Sequence, residues 1–195
     1  MSTGRKRAPR RKIIGANWEA QQPRRGRPPA DKPRKATRIY LTPKQREHWL
    51  ALAEALTPLG AARIDVADLI ITHLEHNLYN IQNGLTGGSG QVLPVGVVDL
   101  KSFYFLLDLR PPAGATSQFN ITMFTETREK MSVMTVRLQS VFRATWSQVF
   151  GLAIELLYQT LSDRRGRLNI VEQENSLDDL KERLFRPQQL QFDIR

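Results

Sequence analysis

The chain has 195 residues, with 29 Lys and Arg against 19 Asp and Glu and a formal net charge of +10. It has no cysteine, which excludes a disulfide scaffold, a thiolate metal site and a cysteine nucleophile. No uncharged apolar run approaches the roughly 18 residues that a spanning helix needs, and the N-terminus shows no apolar signal region, so a cytoplasmic protein is expected.

The charge is unevenly spread. Residues 1–38 hold 13 Lys and Arg against Glu19 and Asp31, whereas residues 39–195 hold 16 against 17 acids. Residues 1–36 are basic, proline-rich and poor in apolar side chains apart from the island Ile13, Ile14 and Trp18. Such a segment buries too little surface to offset its ordering entropy, and a disordered arm is expected. Within it, Arg25-Gly26-Arg27-Pro28 resembles the core of an AT-hook. Glycine lets an extended backbone reach the floor of a narrow A·T minor groove, and the two arginines are drawn along it by its negative potential. Double-stranded DNA is therefore the expected partner of the arm, with an anionic membrane surface as the alternative.

Order is expected from Thr37. Residues 38–41 alternate as a strand does, with Ile39 and Leu41 on one face. Thr42 and Pro43 read as N-cap and first helical residue, followed by Trp49, Leu50, Leu52, Ala53 and Leu56 at helical spacing and a stop at Pro58 and Gly60. A second helix is expected after an Asp65 cap, running to Asn83-Gly84. Residues 83–117 form a linker with an apolar segment, 97–110. As a helix, that segment aligns Leu100, Phe103, Tyr104 and Leu107; as a strand, it aligns Phe103, Phe105, Leu107 and Leu109.

The pattern then recurs. Residues 118–124 alternate, with Phe119, Ile121 and Met123 on one side; Thr125 is expected to cap a helix, and Thr145 with Gln148 forms a capping-box pattern before a nearly all-apolar helix. Thr42 and Thr125 are 83 positions apart, and Asp65 and Thr145 are 80 apart, a repeat in pattern but not in residue identity. The expected fold is mainly α with short strands, in two strand-helix-helix units over 37–82 and 118–163, and a tail over 164–195.

A strand followed by two helices in about 45 residues resembles the ribbon-helix-helix DNA-binding family, to which the Arc repressor belongs, and two units in one chain would form a single-chain pseudo-dimer. The resemblance implies paired antiparallel strands lying in the DNA major groove over a helical dimer core. It implies base-reading roles for Arg38 and Tyr40 in the first unit and Gln118, Asn120 and Thr122 in the second. It also implies a phosphate at the second-helix N-terminus near Thr145 and Ser147. Arg suits guanine, Asn and Gln suit adenine, and the Thr methyl suits thymine. Asp65 and Asp68 put negative charge where the first unit's phosphate would sit.

A different pairing is open at this level. Residues 102–110 and 118–125 are separated by seven residues, which suits a β-hairpin, and strand 118–124 would then belong to a small sheet rather than to a DNA ribbon. His73 and His76 lie one helical turn apart without a third ligand, and no phosphate loop, nucleophile elbow or metalloprotease motif is present, so neither an enzyme nor a cofactor is expected. In the tail, Ser176 caps a short helix bearing Leu177, Leu180, Leu184 and Phe185, and Leu190, Phe192 and Ile194 alternate after Pro187. This tail reads either as docked on its own domain or as a binding segment for a protein partner. The leading expectation is a sequence-preferring DNA-binding protein, a transcriptional regulator or a plasmid partition or relaxosome-type adaptor at the nucleoid or plasmid, acting as a pseudo-dimer or homo-oligomer. The alternative is a non-enzymatic scaffold that assembles through its core and engages a filament through its tail, with the arm on anionic lipid or RNA.

Overall fold

Alternation along Arg34–Leu41 (β1) sends Thr37, Ile39 and Leu41 inward and leaves Arg34, Ala36, Arg38 and Tyr40 exposed. The computed structural model describes residues 32–85, 93–94, 96–168, 170 and 174–186. β1 therefore begins three residues before the expected onset at Thr37. Its partner is Ser117–Phe124 (β2), antiparallel, with Arg38 opposite Asn120, Tyr40 opposite Gln118 and Ala36 opposite Thr122. The hairpin reading is overturned: residues Leu100–Leu106 are a helix (α3), and the described residues hold one two-stranded sheet, ordered β1-β2.

Each strand leads into two helices. Pro43–Leu56 (α1) starts on a complete capping box, in which Thr42 Oγ1 accepts from the Gln45 amide and Gln45 Oε1 accepts from the Thr42 amide. It ends in a short 3-10 turn, Thr57–Leu59, closed by Gly60 at φ +82°, a left-handed conformation that favours glycine. Arg63–Leu85 (α2) follows. Asp65 is not its cap but lies in its first turn, where Oδ2 accepts from the Ala62 amide at 2.8 Å. Thr125–Gln139 (α4) begins directly after β2 with no side-chain cap; Thr125 is its first residue and instead binds the Pro33 carbonyl through both its amide and its hydroxyl. Trp146–Leu161 (α5) has the expected Thr145–Gln148 capping box, and Leu177–Phe185 (α6) is capped by Ser176.

A two-stranded sheet is marginal by itself, so the helices must supply the core. α5 touches α1, α2, α4 and β1, and its residues from Val149 to Leu157 are all buried. Around it close Ile39, Leu41, Ile121 and Met123 from the sheet, Trp49 and Leu56 from α1, Leu69, Ile70 and Leu74 from α2, and Met131 and Leu138 from α4. α3, capped by Asp99, plugs one side with Phe103 and Tyr104 and leaves Phe105 exposed, which is the helical reading of that segment.

The two units correspond more closely than their sequences do. The buried positions of α1 are Gln45, Trp49, Leu52, Ala53 and Leu56; those of α4 are Thr127, Met131, Met134, Thr135 and Leu138, each 82 residues on. The starts of α2 and α5, Arg63 and Trp146, are 83 apart, so the connecting turns differ by one residue. Asp65 and Gln148 occupy the same third position and both reach back to the preceding cap amide. The spacing of 80 expected from Asp65 to Thr145 arose from placing the first cap three residues late.

Contacts between units repeat too. Thr127 donates to Asp68 Oδ1 at 2.6 Å, and the matching pair is Gln45 lying on Gly151, where an added Cβ would stand 2.4 Å from Gln45 Nε2. Lys130 donates to Thr72 at 3.2 Å, and the matching pair is His48 on Glu155 at 2.9 Å. Either unit alone would leave the face that holds the other exposed.

Candidate nucleic-acid interface

The outer face of the sheet carries Arg34, Ala36, Arg38 and Tyr40 beside Phe124, Thr122, Asn120 and Gln118. Strands about 4.8 Å apart, eight residues long at about 3.4 Å each, make a ribbon roughly 27 Å long. A major groove about 12 Å wide admits such a ribbon. Arg38, Tyr40, Gln118, Asn120 and Thr122 are all exposed on this one face, with Arg38 cross-paired to Asn120 and Tyr40 to Gln118. Their chemistry is complementary to base edges: a guanidinium fork, two carboxamides, a phenol and a threonine methyl.

The face is braced from its edges. Arg46 donates to the Gln118 carbonyl at 2.7 Å while its guanidinium lies 5.3 Å from the Phe119 ring centre. Gln118 donates to Asn120 Oδ1 at 3.4 Å, which orients both carboxamides. On the other edge, Ser147 Oγ accepts the Tyr40 amide at 2.9 Å, tying β1 to the start of α5. The Ser147 hydroxyl is thus engaged within the protein. Thr145 caps the Gln148 amide, which leaves the first-turn amides of Trp146 and Ser147 as the donors that α5 has to offer. At the start of α2, the Asp65 carboxylate is held by the Ala62 amide and the Asp68 carboxylate by Thr127, so both acids have structural roles.

Arg34, Phe124 and Arg46 were not expected here. Arg34 and Lys32 both lie over the Phe124 ring, at 5.7 and 5.8 Å from its centre. The signal for Arg34 was the extension of the 38, 40 alternation backwards, hidden by the basic composition it shares with the arm. Its place in the strand alters the charge count. Residues 1–31 hold nine Lys and Arg against two acids, and residues 32–195 hold 20 against 17, a formal +3 rather than the near-neutral balance read from residue 39 onward.

Arg25, Gly26, Arg27 and Pro28 lie outside the described residues, as does Phe192. Leu177, Leu180, Leu184 and Phe185 pack against their own core: Leu180 is fully buried, and Phe185 meets the rings of His73 and His76 at 6.4 and 5.7 Å. Leu177, Leu184 and Phe185 are partly buried beside that core. His73 is buried, its Nε2 is 3.0 Å from Thr160 Oγ1, and its Nδ1 has no partner. Burial, and secondarily the nearby His76, lower its pKa from 6.5 to about 4. His48 stacks on Tyr158 at 3.7 Å while bonded to Glu155. Among the described residues no group of three His, Asp or Glu side chains is arranged to hold a metal, and no helix is long and apolar enough to cross a membrane. Compared with known proteins, the chain matches no family, no curated protein and no solved structure.

Proposed function

We propose that this chain is a non-enzymatic, sequence-preferring double-stranded-DNA-binding protein of ribbon-helix-helix type, with both units of the usual dimer in one polypeptide. The observation that carries the reading is the exposed, braced ribbon on which Arg38 and Tyr40 stand across from Asn120 and Gln118. In this reading Arg38 takes a guanine edge, Asn120 an adenine edge, and Thr122 a thymine methyl. Arg34 and the arm with Arg25 and Arg27 supply phosphate and minor-groove contacts. The role served, transcriptional regulation or plasmid partition or conjugation, follows from the target site.

A salt titration of duplex binding tests it, comparing the full chain with one beginning at Lys32. Counterion release predicts a steep fall in affinity with salt for the full chain and a shallower slope without residues 1–31. The shorter chain keeps β1 intact; cutting at Thr37 would remove Arg34, Lys35 and Ala36 from the ribbon. Absence of duplex binding by the full chain at low salt contradicts the proposal.

A further inference from the structure

At the end of β1 the ribbon runs into a cleft of about 610 Å3. Buried Gln45 and Tyr104 line it, together with Tyr40 and the cap Thr42 on one side and the cap Thr145 on another. The segment between the two units closes it with Lys101, Pro111, Pro112 and Thr116. Small-molecule sites span about 300–1,000 Å3 and combine an apolar lining with a few convergent polar groups, as this one does.

The polar groups define a ligand. Among the described residues that line the cleft, Lys101 is the only charged one, and none is a carboxylate. Both flanking caps begin long helices, α1 and α5, whose positive ends add to the same field. Tyr104 is 1 % exposed, and its hydroxyl accepts from Gln45 Nε2 at 3.5 Å. Burial, and secondarily the charge of Glu155, push the Tyr104 phenol pKa up, so the hydroxyl stays protonated. The Tyr40 ring and the two prolines offer flat apolar walls.

The second unit is built differently at the matching place. Where Thr42 opens the cleft, the equivalent cap position is Phe124, whose ring lies under Lys32 and Arg34. The walls from Lys101 to Thr116 come from the insertion between the units, which precedes β2 only.

We propose that this cleft binds a small aromatic carboxylate, its ring against Tyr40 and the proline wall and its anionic group on Lys101. The site requires no DNA. Tyr40 belongs to both the cleft and the ribbon, so occupancy is felt at the reading face.

Titration of the full chain with 2-naphthoate, 2-naphthylmethanol and inorganic phosphate, followed by ligand-detected NMR and calorimetry without DNA, tests the site. Naphthoate binds, the uncharged alcohol binds several-fold more weakly, and phosphate at the same concentration does not displace naphthoate. Lys101→Gln weakens naphthoate about tenfold, the usual worth of one charge-assisted contact, and leaves the alcohol unchanged. Thr116→Phe, at an exposed position, abolishes binding of both without lowering the melting temperature. No naphthoate binding, equal binding of acid and alcohol, displacement by phosphate, or full binding by Thr116→Phe each overturns the proposal. Because DNA is absent, failure here is distinct from failure of the DNA reading.

Discussion

His73 lies on the inner side of α2, where the matching position of α5, 83 residues on, is Leu156. A buried imidazole there stays neutral because protonation would place a charge in a desolvated site beside His76. With a folded pKa near 4 against 6.5 in the unfolded chain, the unfolded state takes up the proton first as pH falls. The stability this group contributes is therefore full above about pH 6.5 and is lost progressively toward pH 4, by up to about 3 kcal/mol. Chemical denaturation from pH 7.5 to 4.5 should show this loss. His73→Leu, which copies the other unit, should flatten that part of the profile. An unchanged profile in the variant means that His73 is not the titrating group. On the outer face of the ribbon, alternation marked Arg38, Tyr40, Gln118, Asn120 and Thr122 correctly as outward-pointing. Cross-strand register, which pairs residues about 80 positions apart, leaves no local trace, so nothing nearby in the chain placed Arg38 opposite Asn120.

Capping chemistry decided the helices that were legible. Thr42-Pro43 and Thr145–Gln148 carry complete boxes, and both helices start where those residues predict. Asp65 and Thr125 are cap-type residues used otherwise, one reaching back from inside the first turn and one binding Pro33. Residues 102–110 fit both periods, and only the Asp99–Ser102 box upstream favoured the helix. The five matched buried positions of α1 and α4 were present in the sequence, but Gln45, Ala53, Thr127 and Thr135 are not apolar enough to signal a core. Gly151 shows how the elements fit. Alanine there gains helix propensity but forces Gln45 out of its buried place, disturbing the α1 cap. Gly151→Ala should destabilise by about 1–3 kcal/mol. Gln45→Ala should cost about 1 kcal/mol. The double variant should be more stable than the sum of the two, by a double-mutant cycle in urea. Additive losses would show that the two residues do not share the space. Leu180→Ala, removing the buried anchor of α6, should cost about 2–5 kcal/mol and should expose α6 and the adjoining turns of α2 to faster amide exchange.

At the scale of the molecule, buried positions repeat at a shift of 82 residues while the exposed positions of the ribbon do not. Positions related by the 82-residue shift on the ribbon are Ala36 and Gln118, Arg38 and Asn120, and Tyr40 and Thr122. No pair is alike, so the proposed DNA binding implies two different half-sites and a preferred duplex without a palindrome. Residues 1–31, which lie outside the described residues, are basic by composition. Arg34, Lys35 and Arg38 belong to β1, and residues 32–195 carry a formal +3. Whether the ribbon reads bases as proposed is decided by selection from a randomised duplex pool, using the full chain and the Arg38→Ala, Asn120→Ala double variant. The full chain should enrich one non-palindromic site. The variant should lose that enrichment, at about 1–3 kcal/mol of discrimination per contact, while keeping its melting temperature and its salt-sensitive binding to any duplex. Equal enrichment of the same site by both proteins would contradict the proposed base reading.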